Sequence, residues 1–311
     1  MIRQLTLGSF FCLVALPAFA ADPIEAIMSA DAKGLFKSAY SSVSPKKSVS
    51  IEEIAGRKAA KIELRYEWKG GPLDWNRFGK PGYAQRSQFN EKEPKRMLPN
   101  KDYWYTISVF IPPEIGEVKT PVQLFDVKHV IDDNGSVPTI QFKIAPEGEV
   151  PSGVAFETDL DGDWTCGTYR NAEGGKTPVC NRHEKHGYMG KQMELSGRWL
   201  EMVAHFRFAK DDGLVNIWFD GKPIYGLSGD TLKAAKFVQF KFGPYRIEMD
   251  GDPGPVTLYY SHLARAGTCE ALQVEGCGDL YATPPADGLQ NLTDLRSNYF
   301  RELDEMKAEG R

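Results

Sequence analysis

The chain has 311 residues, with 42 acidic against 38 basic side chains and a formal net charge of −4. Nothing in that total attracts nucleic acid or an anionic membrane, so a site for a polyanion has to be a local basic patch. The length suffices for a large core, and all-β sandwiches of this size commonly form one domain.

Arg3, the apolar run Leu5 to Leu16 and the ending Pro17-Ala18-Phe19-Ala20 have the basic start, short apolar middle and small-residue end of a secretory signal. Cleavage is expected after Ala20. The run is too short to anchor the chain, and no later stretch reaches the roughly 20 apolar residues of a membrane span. Bulky Phe10 and Phe11 precede Cys12 where a lipidation site takes small residues, so Cys12 is expected to leave with the signal. The mature protein is expected to be secreted or periplasmic, without a membrane anchor or nucleic-acid partner, and monomeric.

Residues 21–50 read as a lead-in, with a short helix between Ile24 and Tyr40. From about residue 51 the pattern changes to period two, and residues 51–266 read as the main domain. Ile62, Leu64 and Tyr66 alternate with charged neighbours, and Tyr105, Ile107, Val109 and Ile111 alternate with Trp104, Thr106 and Ser108 until Pro112-Pro113. Further strands are expected over Val122 to His129, Thr139 to Ile144, Val154 to Thr158, Trp199 to Phe208, Leu214 to Phe219, Phe237 to Tyr245 and Val256 to Ala264. Turn signals such as Asp211-Asp212-Gly213 and Asp220-Gly221 separate them. Many strands and few helices indicate an all-β sandwich or jelly roll.

The segment Asp159 to Lys191 reads as a long loop or flap. The four cysteines after the signal are even in number, as disulfides in an exported chain require, and their proximity favours Cys166 with Cys180 and Cys269 with Cys277 among three connectivities. Residues 267–311 read as a disulfide-pinned tail. There Leu289, Leu292, Leu295, Tyr299, Leu303 and Met306 recur at the spacing of an amphipathic helix, with Asp287 or Asn291 as cap.

Three strands carry one apolar and one polar face. Gln239, Lys241 and Tyr245 alternate with Val238, Phe240 and Phe242; Thr139, Gln141 and Lys143 alternate with Ile140, Phe142 and Ile144; Val203, His205 and Arg207 alternate with Met202, Ala204, Phe206 and Phe208. Such faces line either bulk solvent or a polar ligand.

At these residues the sequence resembles the heparin lyase I-like polysaccharide lyases, a jelly-roll family similar in fold to glucuronan and alginate lyases. The resemblance runs over roughly residues 50 to 265. Its carriers are Arg86-Ser87-Gln88, the run Tyr103 to Pro112, Gln123, Trp199 with Val215-Asn216-Ile217-Trp218-Phe219-Asp220-Gly221, and Lys241-Phe242-Gly243-Pro244-Tyr245-Arg246. It implies a concanavalin-like β-jelly roll acting on an acidic polysaccharide, with no cofactor. The reaction it implies is β-elimination on a uronic acid: a group neutralises the carboxylate, a base takes the C5 proton and an acid protonates the departing O4.

Tyr245 is similar to the family's catalytic tyrosine and is the expected general acid. A base role for it would need cations nearby to lower its pKa, from Lys241, Arg246 or Arg86. The family pattern has a histidine two residues after the glutamine at Gln123, whereas this chain reads Gln123-Leu124-Phe125. His129 shares strand parity with Gln123 and is the expected base if the strand stays regular, with His205 behind it. Arg86 and Gln88 suit a two-pronged grip on a carboxylate. Gln123, Gln141, Lys143, His205, Lys241 and Arg246 complete the expected substrate contacts.

Other readings weigh less. Asp159-Leu160-Asp161-Gly162-Asp163 resembles part of a calcium loop but lacks its twelfth-position glutamate, and reads as an acidic turn. His183 and His186 lie near Cys180, but an exported cysteine with a partner is better read as oxidised, and no metal is assigned. Glu157 and Asp159 share a strand face, as a retaining glycosidase would require, yet nothing around them resembles such an enzyme. A non-catalytic carbohydrate-binding sandwich is the alternative to the lyase.

Overall fold

The computed structural model describes residues 23–29, 32–39, 45–68, 84–132, 135–146, 153–160, 165–170, 176–181, 185–247, 251–290 and 292–294. The signal segment, Arg77, Trp75, Asp161, Asp163, His183 and the tail beyond Asp294 lie outside them. In chain order the strands are β1 (Phe36–Ala39), β2 (Val49–Ile54), β3 (Arg57–Leu64), β4 (Ala84–Arg86), β5 (Gln88–Glu91), β6 (Asp102–Phe110), β7 (Val122–Asp132), β8 (Gly135–Ala145) and β9 (Gly153–Thr158). They continue with β10 (Thr165–Arg170), β11 (Lys176–Asn181), β12 (Lys185–Lys191), β13 (Trp199–Arg207), β14 (Gly213–Phe219), β15 (Lys222–Gly229), β16 (Phe237–Ile247), β17 (Val256–Ala266), β18 (Gly288–Leu289) and β19 (Thr293–Asp294).

Apart from β10 and β11, which pair with each other, they form two antiparallel sheets. The first runs β1-β5-β16-β7-β8-β9-β12-β19, with β4 also pairing β16; the second runs β18-β15-β14-β13-β6-β17-β3-β2. The alternating runs became strands because each buries one face. Phe125, Phe142, Phe156, Phe240 and Phe242 of the first sheet share a core with Tyr105, Phe206, Phe219, Tyr225 and Tyr260 of the second. Rings meet across the layer at 5.0 Å for Tyr105 and Phe240, 5.6 Å for Phe142 and Phe219, and 5.6 Å for Phe242 and Tyr260. Aromatic pairs at this spacing contribute about 0.5–1.5 kcal/mol each beyond their buried area. The Asp220-Gly221 hairpin has φ of 48° and 73° at its two residues, both positive as a type I′ turn requires.

Polar groups also join the sheets. The Tyr105 hydroxyl donates to Glu91, the Phe240 amide donates to Glu91 Oε2 at 3.1 Å, and Arg265 donates to Glu91 Oε1 at 2.6 Å. Burial raises the Glu91 pKa, and Arg265 opposes that shift.

Three expectations change. The lead-in is part of the sandwich, because β1 pairs β5 over Phe36–Ala39, after a short 3-10 helix at Pro23–Ile27. The expected flap contains the hairpin β10–β11, whose register sets Cys166 opposite Cys180, and then β12. The tail is held by the Cys269–Cys277 disulfide, but Leu289 and Leu292 do not begin a helix. Instead β18 pairs β15 and β19 pairs β12, so the tail joins an edge of each sheet. Edge strands offer unpaired N–H and C=O groups, which claim a chain segment with apolar side chains more strongly than local helical spacing does.

His129 is the sharpest correction. The register slips at Leu124, between the pairs Gln123↔Lys143 and Phe125↔Phe142, so the β7 residues from Phe125 to His129 face opposite to the parity counted from Gln123. His129 therefore points into the core, 0% exposed, edge-on to Phe208. Its Nε2 lies 2.8 Å from the Thr231 carbonyl and its Nδ1 2.8 Å from the Thr139 hydroxyl. A carbonyl only accepts, so Nε2 carries the proton and Nδ1 accepts from Thr139. Burial lowers its pKa from 6.5 to about 4. It is a structural histidine, not the base.

A second slip lies on β16 between Phe242 and Tyr245. Gly243 has φ +107°, and a Cβ there would stand 2.3 Å from the Ser87 carbonyl oxygen.

Two outcomes test these assignments. Gly243→Ala should cost at least about 2 kcal/mol from strained φ and the Ser87 clash, read as a lowered Tm; an unchanged Tm would show that the close approach does not matter. The unfolded chain takes up a proton on His129 below pH 6.5 and the folded chain only below about 4. This residue should therefore remove about 3 kcal/mol of stability as pH falls through that window. Urea unfolding of the wild type should show this slope and His129→Gln should lack it; equal slopes would place the proton uptake elsewhere.

Candidate active site

The residues of the first sheet that alternate with its core phenylalanines form a polar layer on its outer side. One line crosses β4, β16, β7 and β8 as Arg86, Tyr245, Gln123 and Lys143, paired in register. The next crosses β5, β16, β7, β8 and β9 as Asn90, Lys241, Asp126, Gln141 and Glu157. The slip at Leu124 lets Gln123 face outward together with Asp126, and the slip at Gly243 keeps Tyr245 in register with Gln123.

The Arg86 guanidinium stands over the Tyr245 ring, 4.7 Å from its centroid. Gln88 donates to Gln123 at 3.5 Å and Gln123 donates to Gln141 at 3.1 Å, a chain of amides beside the phenol. Lys143 forms an ion pair with Glu157, so both charges are compensated within the sheet. That engagement removes Glu157 as a free carboxylate for a glycosidase.

Lys241, Lys128 and Asp126 make a charged cluster next to this line. Lys241 is 4% exposed, and burial followed by the adjacent Lys128 brings its pKa down to about 7, with Asp126 acting the other way and Arg86 adding to the fall. Asp126 is fully buried, 3.9 Å from the Lys128 ammonium, and neither of its carboxylate oxygens has a hydrogen-bond partner. Asn90 Oδ1 and Gln239 Oε1 are likewise buried and unpartnered. Buried acceptors normally find donors, so this layer suits a ligand rich in hydroxyl groups.

The structure brings together Arg86, Gln88, Gln123, Gln141, Lys143, Lys241 and Tyr245 from the expected set. Two others lie elsewhere. Arg246 alternates with Tyr245 and so turns away from the face; it is fully buried and donates to Gln85 through Nε at 2.9 Å, while Gln85 holds the carbonyls of Arg65, Tyr66 and Trp68. It braces the backbone instead of binding substrate. His205 belongs to the second sheet, on that sheet's outer side, stacked on Trp104 at 4.2 Å and bonded to Asp102 at 2.8 Å.

Sequence parity missed Asp126 and Lys128, because counting from Gln123 through a regular strand turns them inward. The signal was present: they are the charged residues of an otherwise apolar run from Leu124 to Val130, alternating with Phe125, Val127 and His129. Among the described residues no group of three or more His, Cys, Asp or Glu is placed to hold a metal ion, and no helix is long and apolar enough to cross a membrane.

The sequence matches no curated protein. Among solved structures the chain is similar to the endo-β-1,4-glucuronan lyase of the fungus Trichoderma reesei, at 16% identity over 76% of this chain and 92% of that one, TM-score 0.48. It is similar also to alginate lyase AlyC3, at 14% identity over 67% of this chain and 75% of that one, TM-score 0.45. A third is alginate lyase vAL-1 from Chlorella virus, at 9% identity over 70% and 88%, TM-score 0.44. The model of the family described as polysaccharide lyase matches residues 35–264, from the edge of β1 almost to the end of β17 and across the whole polar layer. The chain belongs to that family and is a polysaccharide lyase.

Proposed function

We propose that this lyase is exported and cleaves a uronic-acid polymer by β-elimination, with Tyr245 as the general acid. The observation that carries the reading is the line Arg86, Tyr245, Gln123, in which a guanidinium stands over a phenol beside a chain of amides. Elimination without water needs a proton made acidic by a neighbouring carbonyl, and in a sugar chain a C6 carboxylate supplies one at C5. Arg86 grips that carboxylate through its fork of N–H groups, with Gln88 and Gln123 beside it, and spreads the negative charge that develops when the proton leaves. As C4–O4 breaks, the Tyr245 hydroxyl gives its proton to O4. The motif around Tyr245 supports kinship with the heparin lyase I-like lyases, and the basic, apolar and small-residue order of residues 3–20 supports export.

The purified mature protein, with chelator present, should raise the ultraviolet absorbance of unsaturated uronate on at least one of glucuronan, alginate or a heparin-like chain. Silence on all three would sink the uronate reading. Tyr245→Phe, folded by its melting curve, should lower kcat by about 100-fold or more; a Phe variant with ordinary kcat would take the acid role from Tyr245. Arg86→Lys keeps the charge but loses the fork, so kcat/KM should fall about tenfold or more, and an unchanged value would remove Arg86 from carboxylate binding.

A further inference from the structure

Tyr245 enters elimination carrying its proton, so the group that removes the C5 proton is another residue. His129 is sealed in the core and His205 belongs to the other sheet. Glu157 is engaged with Lys143, and the Asp126 carboxylate lies beside two lysines, 3.9 Å from Lys128 and in register with Lys241. On the same face, Lys241 and Lys128 stand diagonally across β16 and β7, since Lys241 pairs with Asp126 and Gln239 with Lys128. Two ammonium groups side by side in a desolvated layer repel, and the arrangement is relieved when one of them gives up its proton.

Lys128 lies 3.9 Å from the Asp126 carboxylate, which favours its charge; Lys241 is the more deeply buried and feels both Lys128 and Arg86. Arg86 also covers the Tyr245 ring, so the guanidinium that acts on Lys241 stands against the phenol as well. Asn90 on β5 is the remaining polar neighbour in register with Lys241.

We propose that Lys241, on the same face of β16 as Tyr245, is the general base of this lyase, in place of a histidine on β7. The inference rests on the uronate reading above. In the step, the C5–H proton passes to Lys241 Nζ, its electron pair forms the C4–C5 double bond, the C4–O4 bond breaks and O4 takes the Tyr245 proton. Lys241 then carries a proton that Tyr245 lacks, and transfer from ammonium to phenolate restores both with no external acid or base.

The test uses whichever of glucuronan, alginate or a heparin-like chain the wild type cleaves; a wild type that cleaves none defeats the uronate reading and this one with it, whereas every result below bears on Lys241 alone. Lys241→Arg keeps a long hydrogen-bonding side chain but stays protonated and cannot act as a base near neutral pH. It should melt near the wild type and lose about 100-fold or more in kcat. Lys241→Ala should lose as much and regain activity with added methylamine, the gain rising with pH as the neutral fraction grows. An Arg variant that keeps a third or more of kcat, or a folded Ala variant that methylamine leaves unchanged, would overturn the assignment.

Discussion

The Ser87 amide donates to the Pro244 carbonyl at 2.9 Å, and the Ser87 carbonyl lies where a Cβ on residue 243 would fall. Only glycine permits both that approach and φ +107°. The slip this allows on β16 is matched by the slip at Leu124 on β7, and the two meet between the pairs Phe242↔Phe125 and Tyr245↔Gln123. Had β7 run regularly, Gln123 and Phe125 would share one face, and Gln123 could point outward only by turning a core phenylalanine outward. The slip at Leu124 lets Phe125 remain in the core while Gln123 faces out, and the slip on β16, where Tyr245 already has the parity of Lys241, keeps Tyr245 in register with Gln123. The line Arg86, Tyr245, Gln123 therefore depends on backbone geometry before any side-chain chemistry.

The same layer carries an energetic burden. Lys241 and Asp126 are desolvated, and four acceptor oxygens on Asn90, Asp126 and Gln239 lack partners. Each such group typically costs about 1–3 kcal/mol, and they cluster on one face. The opposite side of the same strands offsets this with the stacked phenylalanines and the Glu91, Arg265 and Tyr105 junction. A site that is pre-shaped and unsatisfied survives because the core beneath it is over-determined.

The strand pattern carried most of the fold. Every run read as a strand from Ile62 to Ala264 lies within or across an observed strand, because burial of one face imposes period two. What the pattern missed was short or local. The strands β4 and β5 are too brief to show alternation, and β1 reads like any mixed segment until β5 is beside it. The site followed the same division. Tyr245, Arg86 and Gln123 came from motif resemblance and stand together, while His129 was placed by parity across Leu124 and came out on the wrong side, and Asp126 and Lys128 were passed over. A bulge shifts one residue of sequence and leaves composition unchanged, so a count carried from Gln123 misplaces His129, and only the alternation of Asp126 and Lys128 with Phe125 and Val127 marks the true face.

The two sheets differ in unmet polar demand. On the second sheet a cavity of about 550 Å³ opens beside Arg57, Glu201, His262 and Leu272. Its polar groups answer one another: Arg57 binds Glu201, Ser108 donates to Glu201 at 2.5 Å, and Ser261 donates to the Lys58 carbonyl at 2.8 Å. Beside it, the Cys269–Cys277 segment lays Leu272 and Tyr281 against Trp218, covering that sheet with apolar contacts. On the first sheet the polar side chains do not satisfy one another. Its cations crowd each other, its acceptors stand empty, and a phenol lies under a guanidinium. A polymer carrying hydroxyls and carboxylates would supply the missing donors and the missing negative charge at once, which is the physical argument for proposing the polar layer, and not the cavity on the second sheet, as the place of the chemistry.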